Sequence, residues 1–322
     1  MADWTIDVDA DRLPTDTVPS VIDALMEENG KHRAIPTAIC WPCSTSALVG
    51  AIDAAEAGVI EPIFVAPARV LTALAEEAQV QLKDYRIIEA SNDHQAATIC
   101  AGLCSTGETE AIMKGSLHTD VLMRAALNKE AGLRTSRRVS HVFVLDAPLY
   151  SRTLFITDAA INIYPTLEDK VDILQNAIDL ARVMGVETPH VALLSAVETI
   201  NPKIESTLHA AALCKMADRK QITGAILDGP LALDTAVSAH AAEIKSLSSP
   251  VVGKADILLV PNLEAGNMLA KQLEYLGGAH MAGIVLGAKV PIILTSRADP
   301  PRSRFISCAI AALLARSAKR VR

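Results

Sequence analysis

The chain has 322 residues, enough for one large or two medium cores; 50% are hydrophobic but only 3% aromatic, which favours helices on a Val/Ile/Leu sheet over a β-sandwich. Its 30 Lys plus Arg against 37 Asp plus Glu give a formal charge of -7 with no basic tract, which argues against a nucleic-acid partner. Mean hydropathy is +0.28, yet no stretch approaches the ~18 uncharged apolar residues of a membrane span. The start, Met1-Ala2-Asp3-Trp4-Thr5-Ile6-Asp7, is acidic where a signal peptide is basic. The expectation is a cytoplasmic protein whose partners are small molecules and sister subunits.

Residues 1–30 are polar and acidic, with one helix-like stretch over 21–28. Residues 35–66 read as a βαβ unit. Its helix begins near Ser44, places Leu48, Ile52 and Ala55 on one face, and has Gly58 at its C-cap. Cys40-Trp41-Pro42-Cys43 stands between strand and helix, the setting of a thioredoxin-type dithiol. The rest of that pattern does not follow, so reduced thiols are the preferred reading. Cys100 and Cys104 fall one helical turn apart, but no second pair stands at a zinc spacing. Helices are predicted over 70–78, 93–104 and 120–130, the last carrying Arg124.

Short apolar runs then recur, each opening into polar residues. Run 110–113 opens into Lys114-Gly115-Ser116-Leu117-His118-Thr119-Asp120, 142–145 into Asp146-Ala147-Pro148, and 154–156 into Thr157-Asp158-Ala159-Ala160-Ile161-Asn162. Run 191–194 opens into Ser195, 225–227 into Asp228-Gly229-Pro230, and 257–260 into Pro261-Asn262-Leu263-Glu264-Ala265-Gly266-Asn267. Such runs suit parallel strands buried on both faces. Polar residues after so many of them must cap helices or meet a ligand. Runs 142–145 and 154–157 lie close enough for an antiparallel pair. Thr166 and Asp169 stand at capping-box spacing before a helix that turns Val171, Leu174 and Ile178 inward and stops at Gly185. Further helices are predicted over 203–217, 234–244 and 264–276.

The last run, 291–294, opens into Thr295-Ser296-Arg297-Ala298-Asp299, and Pro300 and Pro301 stop the strand. Ser303 is placed to cap a helix over 305–316. Two hydroxyls, a fixed cation and a possible base thus stand at a strand's carboxyl end, where open α/β sheets bind ligands. Walker, Gly-x-Gly-x-x-Gly and Gly-x-Ser-x-Gly patterns are absent. Two α/β domains are expected, 1–145 with 284–322 and 146–283, with Thr295–Asp299 in the cleft between them.

The motifs that follow runs 110–113, 154–156, 225–227, 257–260 and 291–294, in this order, resemble the phosphate acetyl/butyryltransferase family. The likeness runs from about Ile35 onward. It is nearest the phosphate acyltransferase portion of chains that also carry an enoyl-CoA hydratase-like domain, and a stand-alone transferase is the expectation. The resemblance implies reversible acyl transfer between coenzyme A and inorganic phosphate, with acyl-CoA, phosphate and acyl phosphate as ligands and coenzyme A as substrate, not cofactor. It also implies an isocitrate/isopropylmalate dehydrogenase-like two-domain fold and a homodimer, with 146–283 expected to carry dimerisation.

Within that family the serine and arginine of the last motif lie in the active site, which maps to Ser296 and Arg297. A guanidinium cannot lose its proton and grips phosphate bidentately. Thr295 and Ser296 can donate to phosphate or to the developing oxyanion. Acetyl-specific members place an aspartate base seven residues after that serine; here the position is Ser303, preceded by Arg302, so Asp299 is the candidate base. Asn262 replaces a common aspartate and removes one charge. Ser116, His118, Thr119, Arg124 and Asn267 complete the candidate substrate-binding set, with no metal site. Two other classes stay open on the residues: a metal- and NAD-dependent dehydrogenase of the same fold, for which Asp228 and Asp234 lack helix-turn spacing, and a non-catalytic CoA-binding module.

Overall fold

The apolar runs become strands of one mixed sheet. The computed structural model describes residues 21–29, 31–82, 85–295 and 299–320. The strands are β1 (Ile35–Cys40), β2 (Ile60–Val65), β3 (Arg86–Ile88), β4 (Ala111–Lys114), β5 (Ser140–Asp146) and β6 (Leu154–Thr157). They continue as β7 (His190–Leu194), β8 (Ile226–Leu231), β9 (Ile257–Leu259), β10 (His280–Leu286) and β11 (Ile292–Ile293). Their order is β3-β2-β1-β4-β11-β10-β5-β6-β9-β7-β8.

The sheet is not wholly parallel. β10 pairs antiparallel with both β11 and β5, and β5 antiparallel with β6. Strands β3, β2, β1, β4, β11 and β5 therefore run one way, and β10, β6, β9, β7 and β8 the other. One row of paired residues crosses the centre: Met113, Ile293, Ile284, Val142, Thr157, Leu259. β4 and β11 approach this row from one side and finish there; β6 and β9 do so from the other. The carboxyl ends of oppositely directed strands thus converge on a single line.

Period-2 alternation sends the two faces of these strands to different cores. Ile39, Met113, Ile293, Val142, Phe155 and Leu259 join one continuous core under α1 (Val21–Asn29), α2 (Thr45–Glu56), α6 (Leu167–Val183), α7 (Glu205–Asp218) and α11 (Pro301–Arg320). The opposite face is covered twice. Ala38, Ile112 and Ile292 pack with α4 (Asp93–Ser105) and α5 (Thr119–Ala126). Leu154, Ile156 and Leu258 pack with α8 (Leu233–Val237) and α10 (Leu263–Tyr275). The two covers leave a gap over the middle of the sheet, above β5.

Most expected elements form, with instructive differences. Ser44 caps α2, and Gly58 follows it at φ +72. α3 (Ala68–Ala78) starts two residues before the expected helix. Helix 120–130 ends at Ala126, and Lys129–Ala131 forms a separate 3-10 turn. Helix 234–244 is two helices, α8 and α9 (Ala239–Ile244), because Ser238 is extended, closes α8 through its N–H to the Asp234 carbonyl and caps α9 at Ala241. Ser303 does not cap the last helix. α11 begins at Pro301, whose fixed φ and missing N–H suit a first turn, and Ser303 lies inside it, buried at 3%. Asp228-Gly229-Pro230 does not follow a strand but lies within β8, an edge strand where proline is tolerated. The short β3 had no apolar run to announce it, and β10, with its run Ile284-Val285-Leu286, is not among the expected strands.

α6 carries the capping box read from sequence: the Thr166 hydroxyl accepts from Asp169 N–H at 3.2 Å, and the Asp169 carboxylate accepts from Thr166 N–H at 3.0 Å. Thr166→Ala should lower stability by about 1 kcal/mol, read as a lower urea midpoint; an unchanged midpoint would remove the cap from the account of this helix.

Candidate active site

The site grows from the parallel pairing of β4 and β11. Ile293 lies beside Met113, so the residues after each strand emerge together on the gap side. Lys114 then turns back on its own loop. Its buried Nζ donates to the carbonyls of Gly115 at 3.2 Å and Leu117 at 3.1 Å, which shapes the turn into α5.

The Cys40–Cys43 turn buttresses this loop. Gly115 N–H donates to the Cys40 carbonyl and Ser116 N–H to the Trp41 carbonyl, both at 2.8 Å. A Cβ on Gly115 would stand 2.5 Å from each of those oxygens, so only glycine fits. Trp41 holds φ 53 to make the turn. All six cysteines are free, and burial first, then Cys40, pushes the Cys43 thiol up to about 11. The motif lies far along the chain from segment 295–299, yet the fold sets it behind the loop after β4 as a support.

A cavity of about 390 Å³ opens over the gap. The loop after β4 contributes Lys114, Leu117, His118 and Thr119. Leu294, Thr295 and Asp299 enter from the β11 side, Asn267 and Lys271 from α10, His141 and Phe143 from β5, and Ala160 from the turn after β6. Of the sequence candidates, the structure therefore gathers His118, Thr119, Asn267, Thr295 and Asp299 around one space. Ser296 and Arg297 lie outside the described residues. Ser116 does not line the cavity; its hydroxyl donates to that of Ser44 at 2.8 Å. Arg124 lines an adjoining groove of about 1270 Å³ that shares His118, Thr119 and Ala160 with the small cavity. Arg124 is exposed there, 3.9 Å from Asp120.

Asp158, two residues from Ala160, is fully engaged. Its carboxylate accepts from the N–H groups of Ala160, Ile161, Asn162 and His141 and from the Asn162 amide. That makes it the anchor of the turn and of the start of β5. Asn267 donates to the Ala159 carbonyl at 3.2 Å, tying α10 to the same turn.

Sequence reading missed His141, Phe143, Lys114 and Lys271 as cavity residues. Lys271 stands one helical turn past Asn267 on the same face, a spacing that could have found it. His141 left no signal, because it precedes an apolar run. It is buried at 1%, and its Nδ1 has no hydrogen-bond partner among the described residues. Burial lowers its pKa to about 4; the Lys271 charge also lowers it and Asp158 opposes the shift. Arg304 of α11 was missed as well. Buried at 4%, it donates to the Ser46 carbonyl at 2.6 Å; burial lowers its pKa while the Asp299 charge opposes that change.

The family model for Phosphate acetyl/butaryl transferase matches residues 68–312. The chain belongs to this family. It is 54% identical over 297 residues to the Phosphate acetyltransferase of Rhizobium meliloti, covering 92% of this chain and 94% of that protein. It is 44% identical over 263 residues to the Phosphate butyryltransferase of Clostridium acetobutylicum, covering 82% and 87%. A branched-chain phosphotransacylase from Enterococcus faecalis V583 shares the structure at a TM-score of 0.76 with 31% identity, over 87% of this chain and 99% of that one. In this member of the family the cavity joins cationic, hydroxyl and carboxylate groups from segments up to 185 residues apart, Lys114 to Asp299.

His141 yields a pH prediction. The unfolded chain protonates it near 6.5, while the folded chain keeps it neutral to about 4. Below 6.5 the unfolded state binds the extra proton, so this contribution is intact above that pH and is lost as pH falls toward 4. By pH 5 the loss should reach about 2 kcal/mol. His141→Asn should flatten the drop in unfolding free energy between pH 7 and pH 5; equal pH dependence in both proteins would show that His141 is not held neutral by the fold.

Proposed function

We propose that this chain catalyses reversible acyl transfer between acyl-CoA, acetyl-CoA foremost, and inorganic phosphate, giving acyl phosphate and CoA by direct attack in a ternary complex. The observation that carries it is the convergence of His118, Thr119, Asn267, Thr295 and Asp299 on one small cavity in a chain of this family. In the CoA-acylating direction, Asp299 takes the thiol proton and the thiolate attacks the carbonyl carbon of acyl phosphate. The hydroxyls of Thr295 and Ser296 meet the oxyanion. Collapse breaks the bond from carbon to the phosphate oxygen and releases phosphate, whose charge Arg297 and neighbouring hydroxyls hold. A thiol of ordinary pKa, ~8.5, is mostly protonated at neutral pH, which is why a base matters. The adjoining groove with Arg124 suits the arm of CoA.

The same reading extends to organisation. Domains of 1–145 with 284–322 and of 146–283, in an isocitrate/isopropylmalate dehydrogenase-like arrangement, belong to this reading, with β10 (His280–Leu286) crossing from one to the other. The protein works as a cytoplasmic homodimer with coenzyme A as substrate and no resident cofactor. Among the described residues no helix is long and apolar enough to cross a membrane.

Purified protein should release CoA from acetyl-CoA only when phosphate is present, without added metal or nicotinamide. Absence of turnover with acetyl-, propionyl- and butyryl-CoA would sink the reading. Arg297→Gln should lose about 3 kcal/mol of transition-state stabilisation, and Arg297→Lys should also be impaired because the fork is lost. Ser296→Ala should lose only about 1 kcal/mol. Asp299→Asn should flatten the rise of rate with pH. If Arg297→Gln keeps near-wild-type kinetics and an unchanged Tm, the assignment of this loop to catalysis fails.

A further inference from the structure

We infer that Phe143 is a specificity-determining residue, an unyielding wall of the small cavity that limits the length of the acyl chain. The inference rests on the transferase reading above.

The polar lining of the cavity leaves few surfaces for an acyl tail. Phosphate and the thioester carbonyl need donors and cations, which Lys114, His118, Thr119, Thr295 and Lys271 supply. The methyl end of an acyl group gains only by leaving water against apolar surface. That surface is Leu117, Phe143, Ala160 and Leu294. Phe143 is the largest of the four and is half-buried, so part of its ring faces the open space.

Its ring has nowhere to retreat. The ring of His141, two residues earlier on the same face of β5, stands edge-on to Phe143 with centroids 4.3 Å apart at 73°. His141 is itself wedged: a single Cβ added to Gly283 of β10 would lie 2.8 Å from its Nε2. The backbone of His141 is clamped on both sides, its N–H by Asp158 and its carbonyl by the Thr157 hydroxyl at 2.8 Å. β5 is paired along its length with β10 and over four residues with β6. Kept neutral by burial, the imidazole packs as an apolar brace. A wall fixed in this way rejects longer chains by overlap, where a mobile one would yield. One methylene in an apolar pocket is worth roughly 10- to 200-fold in discrimination, and butyryl adds two to acetyl.

The test compares kcat/KM for butyryl-CoA and acetyl-CoA, at saturating phosphate, on one preparation of the full chain and one of Phe143→Ala. The ratio of the two constants does not depend on the folded fraction, so a merely structural loss leaves it unmoved. Phe143→Ala should raise the butyryl-to-acetyl ratio tenfold or more. A rise below fivefold, no change or a fall overturns the inference. So does a shift confined to the KM of both CoA esters alike, which would place Phe143 on the CoA arm. If Phe143→Ala yields no folded protein, Phe143→Val is read by the same criterion. Failure of the wild type to turn over any acyl-CoA is a separate result, and it removes the transferase reading itself.

Discussion

The pairing of β4 with β11 is the constraint on which the site depends. Two short parallel strands, far apart in sequence, lie in register at Met113 and Ile293. That register decides where the Lys114 loop and the Thr295 segment emerge. A slip of one residue would turn every side chain of β11 to the other face, sending Leu294 and Thr295 toward the wrong core. The fully buried Ile292 and Ile293, one in each core, oppose such a slip.

The second requirement is that oppositely directed strands end on a common line. Ligand sites in open α/β sheets lie beyond carboxyl ends because loops and helix N-termini are exposed there. Here two sets of such ends meet, from β4 and β11 on one side and β6 and β9 on the other. Groups from both sets can face one small volume, and β5 between them supplies its floor through His141 and Phe143. Asp158 holds this junction by serving the turn after β6 and the start of β5 at once. Its five donors compensate a buried carboxylate that would otherwise be costly.

The two kinds of information in the sequence were unequally legible. Apolar runs followed by polar residues announced β4, β5, β6, β9 and the motif after β11, because buried strands must be apolar while their ends need not be. Thr166 with Asp169 and Ser44 were readable because capping is local chemistry. What escaped was set by tertiary contact. Trp41-Pro42 is a support only because Gly115 comes to rest against it. His141 is a brace only because Gly283 and Phe143 close around it, and nothing in its own neighbourhood of sequence says so. Ser303 looked like a cap by residue type, but proline at 301 had already started the helix.

The two-residue strand β11 also bears on how the chain is made. It fills the space between β4 and β10, and its partner Met113 is synthesised 180 residues earlier. Until β11 arrives, the apolar edge of β4 has no neighbour on that side, and pairing over so long a separation is slow. An unpaired apolar edge is a template for association with other chains. Ile292 and Ile293 therefore close an edge that stays open from the synthesis of β4 until β11 is in place, and so serve solubility during synthesis as well as geometry afterward.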